Sequence, residues 1–135
     1  MLGTGAVISG GGQHVGLRRI RPTATLTTVI GGAHEDATGY GGSWSLTGWA
    51  VCAYPPRGLE IVSESTDAEG FAANSALAEC PAPKRVHGVG GMVTGPDHLP
   101  VRGVFPYESD TAFVQGAVSG YDGPWGVHAW AICAY

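Results

Sequence analysis

The strongest constraint on this chain is that it repeats itself. The segment YGGSWSLTGWAVCAY at 40–54 matches YDGPWGVHAWAICAY at 121–135 without a gap, setting Tyr40 on Tyr121, Trp44 on Trp125, Trp49 on Trp130 and Cys52 on Cys133. Upstream of this match, Gly32-Ala33 falls on Gly116-Ala117, Pro22 on Pro106 and Arg18 on Arg102, and LGTGAVISG at 2–10 lies over HGVGGMVTG at 87–95. One supersecondary unit has been used twice. Unit 1 is 1–54, unit 2 is 86–135, and 55–85 supplies connecting strands within a single domain, 1–135. The copies are unequal in two ways. Unit 1 carries three extra residues, His34-Glu35-Asp36, and unit 2 is preceded by GLEIVSESTDAEGFAANSALAECPAPKR, two plausible strands and a cysteine with no counterpart before unit 1.

The unit is β-rich. The 23 glycines and 9 prolines punctuate Val-, Thr- and Trp-rich runs instead of forming a low-complexity tract, which is the pattern of short strands joined by turns. Period-2 patterning predicts strands at 4–9, 15–20, 24–33, 44–53, 59–65, 74–80, 86–94, 100–105, 111–118 and 125–134, and no segment holds a helical period. The fold expected is all-β, a pseudo-twofold sandwich or barrel built from two unequal copies of the repeat. In 44–54 one face carries Trp44, Leu46, Ala50 and Cys52 and the other Trp49 and Val51, so this strand and its twin at 125–135 are expected to be central and covered on both sides. Core packing is then the expected role of all four tryptophans. Glycines at 3, 5 and 10 recur at 88, 90 and 95, which points to a backbone requirement such as a bulge or a close strand approach.

Charge excludes several partners. There are 7 basic and 11 acidic residues, and the longest basic run is Arg18-Arg19 with Arg21 beyond, too little for a nucleic-acid track. No apolar run is long enough to form a membrane span, and MLGTGAVISGGG lacks the features of a signal peptide, so the chain is expected either to be made without one or to have lost it.

Three cysteines leave one over. If each complete unit joins a cysteine at its head to one at its tail, unit 2 has both, in Cys80 and Cys133, and Cys52 is the orphan of unit 1. Cys52 is then a buried free thiol acting as a small hydrophobe, half of an intermolecular disulfide, or the sign of a missing upstream segment. The Cys and His spacings of zinc sites are absent.

The run CPAPKRVHGVGG at 80–91, closed fifty residues later by WAICAY, resembles the CPxGK-V-x-G-x-G … WxVxAxCA repeat of uncharacterised actinobacterial secreted and surface proteins, and similar modules of phage tail and fibre proteins. The resemblance covers most of the chain, although Ala82-Pro83 departs from the usual turn and unit 1 has no CPxGK head. It implies an all-β fold and a disulfide between Cys80 and Cys133, and it brings no catalytic residues.

Catalytic motifs are missing. Gly41-Gly42-Ser43 and Val118-Ser119-Gly120 lack the spacing and the following helix of a nucleophile elbow, and the Gly-rich start has neither the Lys-Ser/Thr nor the βαβ setting of a phosphate loop. His34 and Asp36 share a face if their strand continues, and could offer imidazole and carboxylate to one metal; the alternative is a solvated hairpin tip. His14, His87, His98 and His128 have no ligand spacing, with His128 expected in an interior or cleft and Asp97-His98 in a turn. Glu60, Glu64, Asp67, Glu69 and Asp110 cannot be placed as a glycosidase pair from sequence.

The chain therefore reads as a non-catalytic interaction module with no cofactor, structural or binding, extracellular or virion-associated. A protein partner or self-association is expected. Glycan binding through Tyr40, Tyr54, Tyr121 and Tyr135 is the first alternative. A small enzyme with a pocket between the repeats, using His128, His34 or an acid as base, is the second. Inhibition through a loop at 66–73 has no signature.

Overall fold

The structure is a computed structural model that describes residues 1–69, 72–118 and 120–135 and, of Glu69, the main chain. Ser119 and part of the 66–73 segment thus lie outside the described residues. The described residues form ten strands and no helix: β1 (Gly3–Gly10), β2 (Val15–Pro22), β3 (Val29–Glu35), β4 (Trp44–Val51), β5 (Glu60–Glu69), β6 (Ala73–Glu79), β7 (Arg85–Thr94), β8 (Val101–Pro106), β9 (Thr111–Ala117) and β10 (Pro124–Ala134). Among them no helix could cross a membrane. Strand covers 66–69 and resumes at 73, so β5 and β6 extend into the segment read from sequence as a loop at 66–73.

The strands form three open sheets, ordered β3-β2-β7-β10-β5, β6-β9-β8 and β1-β4, in a sandwich-like arrangement and not a closed barrel. In unit 2 the β6-β9-β8 sheet lies over β7 and β10, and the core between them holds Ala76, Ala78, Val93, Val114, Trp125, Val127, Ala129, Ala131 and Cys133. Gly91 keeps these layers close, since a Cβ there would stand 2.7 Å from Val104 Cγ2 and 2.8 Å from Val114 Cγ1. The Cys80–Cys133 disulfide joins the layers at one end.

The two units share one pairing scheme. In unit 1, β1 pairs β4 with Gly5 opposite Trp49 and Ile8 opposite Leu46. In unit 2, β7 pairs β10 with Gly90 opposite Trp130 and Val93 opposite Val127, the same residues of the repeat. The β2–β3 and β8–β9 hairpins also agree, down to a register shift at Arg18 in one and Arg102 in the other. The hairpins correct the sequence alignment by one residue: Leu17 faces Ala33 and Val101 faces Gly116, so Ala33, not Gly32, is the equivalent of Gly116. His34 and Glu35 are accordingly strand positions matched by Ala117 and Val118. The extra length of unit 1 is divided among the β1–β2 turn, the β2–β3 turn and the loop after β3.

That turn also explains why the strand predicted at 24–33 begins at Val29. The β-branched run Thr23–Thr28 reads as strand by propensity, but Leu26 adopts φ 54°. Its side chain is buried against Ile132 of unit 2, beside Met1, and Thr23 closes the turn by accepting from Thr28 N. The units are further joined where β2 pairs β7 and where Arg18 donates to the carbonyls of Gly95 and Pro96 at 2.7 and 2.6 Å and meets Asp97 at 3.1 Å.

The repeated glycines divide by copy. Gly10 and Gly95 have φ of 81° and 115°, the left-handed region that favours glycine. Gly88 and Gly90 sit against the unit 1 backbone, where a Cβ would meet Leu2 O at 2.3 Å and Ile20 O at 3.0 Å. Their counterparts Gly3 and Gly5 meet only side chains of β4, at 3.5 and 3.6 Å. Close approach is thus a property of unit 2.

Candidate functional site

Two places concentrate exposed chemistry. The first is a cleft of about 480 Å³ between the units, lined by His14, His34, Asp36, Thr38, His98 and Arg102 among others. His14 is set by the β1–β2 turn, in which its N–H donates to Gly11 O, and the carbonyl of His14 in turn accepts from Asp36 N at 2.6 Å. Asp36 forms an Asx turn: Oδ1 accepts from the backbone of Thr38 and Gly39 and from the Thr38 hydroxyl, while Oδ2 stands 2.9 Å from His14 Nδ1. The Thr38 and His14 hydrogen bonds hold the Asp36 carboxyl below its usual range.

Glu35 is equally committed. Its Oε1 accepts from Trp44 Nε1 at 2.9 Å and its Oε2 from Tyr40 N at 3.0 Å, and these bonds lower its pKa, the indole contact most. The His34-Glu35-Asp36 tripeptide therefore does mainly structural work, fixing the loop that follows β3. His34 itself is exposed on β3. Among the described residues no three His, Cys, Asp or Glu side chains gather as a metal site, so His34 and Asp36 have no third ligand. The hydrogen bond to Asp36 leaves the other ring nitrogen of His14 as the cleft's candidate base. Sequence spacing did not single out His14, because its partner is brought to it by the β2–β3 pairing, 22 residues on.

The second place is the β1–β4 sheet. The expectation of a central strand with covered tryptophans holds for β10, where Trp125 is buried and Trp130 half-buried, and fails for β4. β10 lies between β7 and β5, with Trp125, Val127, Ala129, Ala131, Ile132 and Cys133 all buried. β4 pairs only β1, and Trp49 and Val51 are 50% and 62% exposed, with Val7 beside them at 45%. In unit 2 β5 flanks β10 and β6 covers the inner face that carries Cys133, while Ile132, the counterpart of Val51, turns the other way onto Met1 and Leu26 of unit 1 with Ile61 of β5 beside it; among the described residues no such neighbours cover Trp49 and Val51. Cys52, expected as a buried thiol, is an exposed free one.

The four tyrosines do not converge. Tyr40 is half-buried and stacked near His14, and Tyr121 is half-buried edge-on to His98. At the far ends of β4 and β10, Tyr54 is almost fully exposed and Tyr135 lies between Arg57 and Lys84, 5.5 and 5.4 Å from the cations. Strands of this length separate the members of each pair by roughly 25 Å or more. His128 is half-buried and stacks on Trp130 at 5.8 Å. Glu60 pairs with Lys84 at 2.7 Å, and Asp110 with Arg85 at 3.8 Å.

Comparison with family models, with curated proteins and with solved structures finds no match.

Proposed function

We propose that the chain is a non-catalytic interaction module that meets a protein partner through unit 1. The observation that carries this reading is the exposed apolar face of β1–β4, formed by Val7, Trp49 and Val51, the last of which stands where unit 2 has the fully buried Ile132. Contiguous apolar surface of this kind marks an interaction site more often than single exposed hydrophobes do. The buried Cys80–Cys133 bridge suits an oxidising compartment, so an extracellular or virion-associated setting fits, in line with the resemblance of the repeat to secreted, surface and phage modules. The test is binding of a hydrophobic dye together with solution mass by light scattering, for the natural chain and for a Trp49→Ser, Val51→Ser double variant. The reading expects dye binding or association that the variant loses at unchanged melting temperature. A glycan array on the same sample tests lectin activity, which requires hits abolished by Tyr54→Ala or Tyr135→Ala.

A second reading, a small enzyme working in the cleft between the units, is favoured by one observation, the His14–Asp36 pair facing it. It requires turnover of a hydrolase substrate panel that His14→Ala removes.

A further inference from the structure

We propose that unit 1 is an acceptor for a two-strand segment that ends in a cysteine, a segment of the same kind as residues 59–80 carried by another polypeptide, whose strands pair one with the free edge of β4 and the other with the free edge of β3 and whose cysteine forms a disulfide with Cys52. This rests on the interaction-module reading and names the partner's chemistry. Unit 2 of the same molecule displays the completed form. There β5 runs antiparallel to β10 from Glu60 opposite Cys133 to Glu69 opposite Pro124, β6 pairs β9 from Ala73 to Glu79, and Cys80 follows β6 into the bridge with Cys133. Because the β1–β4 and β7–β10 registers coincide, each feature has an address in unit 1. The open edge of β4 is the site of β5, the open edge of β3 is the site of β6, and Cys52 is the site of Cys133.

Burial shows what is left uncovered. Ala129, Ala131 and Cys133 are 0% exposed, whereas their counterparts Gly48, Ala50 and Cys52 are all exposed. In unit 2 the strand facing these small residues presents Ala76 and Ala78, both buried, so the incoming second strand must carry small side chains at alternate positions. The first must place an apolar residue opposite Val51, as Ile61 stands opposite Ile132. A second copy of this chain fits less well. Its own β5–β6 segment is tied down by Cys80–Cys133, and edge-to-edge pairing of two β4 strands would leave the inner face at Ala50 and Cys52 bare. Strand addition of this type draws affinity from main-chain hydrogen bonds and specificity from alternate side chains. The covalent step is thiol–disulfide exchange. The Cys52 thiolate attacks the sulfur of a donor cysteine held as a mixed disulfide with a small thiol such as glutathione, the new S–S bond forms, and the small thiol leaves with the electron pair and takes up a proton.

The experiment uses the full chain in a glutathione redox buffer with a synthetic peptide of residues 59–80. A peptide of scrambled sequence with its cysteine in the same place serves as control. Intact mass and peptide mapping read the adduct, and hydrogen exchange reads backbone protection at 29–35 and 44–51. The expected result is an adduct at Cys52 favoured about tenfold or more over the scrambled peptide, with slowed exchange in both strands. A Cys52→Ser chain with a cysteine-free peptide should show the same protection without the bond. Equal labelling by the scrambled peptide, labelling without protection, exchange into Cys133, or a Cys52-linked dimer of the chain alone would each overturn the proposal. Loss of dye binding and association in the Trp49→Ser, Val51→Ser variant is independent of these outcomes. If it persists when the two-strand peptide fails, the interaction reading stands and only the partner's chemistry is wrong.

Discussion

A single carboxylate separates the two loops that lead into β4 and β10. Glu35 accepts from the Trp44 indole and the Tyr40 amide; unit 2 has Val118 at that position, and the buried Trp125 indole N–H has no hydrogen-bond partner among the described residues. Since the indole and the amide donate to its charged form, Glu35 titrates below the usual glutamate range. The folded state therefore binds this proton less readily than the unfolded state, and the stabilisation is present above the ordinary carboxylate pKa and lost as pH falls through the folded value. Asp36, held low by Thr38 and His14, acts in the same direction. Melting temperature measured between about pH 6 and pH 2 should fall on acidification, and Glu35→Gln, which retains an acceptor for Trp44, should flatten that fall. A Gln variant with the natural slope would remove Glu35 from the account.

At the scale of strands, the same repeat position carries different demands in the two copies. Gly91 is pressed between Val104 and Val114, and its unit 1 equivalent is Ala6, opposite Gly48. Unit 1 carries a Cβ there, and the residue that stands where unit 2 has Val114 is Gly31, paired with Ile20 as Val114 is with Val104. Gly91→Ala should cost about 1–3 kcal/mol by overpacking, while Ala6→Gly should cost well under that, read by denaturant unfolding. The Arg18 contacts with Gly95, Pro96 and Asp97 should matter more than a surface ion pair, since two of the three are charge-assisted bonds to carbonyls. Arg18→Ala should lower stability by about 1.5–3 kcal/mol, and loss of much less would mean that the β2–β7 pairing alone fixes the units. The repeat, the β class and the strand positions were legible because alternation, turn residues and a shared Trp-Trp-Cys register are local signals. What was not legible depends on neighbours. β4 and β10 share one Trp-Trp-Cys register, and it is the neighbours, β5 and β6 together with Met1 and Leu26 against Ile132, that make β10 a covered central strand while β4 is an exposed edge. Likewise Leu26 becomes a turn residue because Ile132 receives it, and the His14–Asp36 pair exists only once β2 and β3 align.

For the whole molecule, the Cys80–Cys133 bridge spans a sequence separation of 53 residues and should contribute about 4 kcal/mol by restricting the unfolded chain. Its reduction, or Cys133→Ala, should lower stability by that order and loosen β6 first, as hydrogen exchange would report. The shared register carries a further consequence for how the chain reaches this state. The β5–β6 segment is synthesised between two strands that present matching edges, with β4 made before it and β10 after. Cys52 lies 28 residues from Cys80, nearer than Cys133, so loop closure favours a Cys52–Cys80 pairing in the early chain. The two units then compete for one β5–β6 segment, and the final bridge forms by exchange once β10 and its better-filled core are available. Quenched oxidative refolding should capture the Cys52–Cys80 isomer ahead of Cys80–Cys133, and Cys52→Ser should reach the native bridge faster.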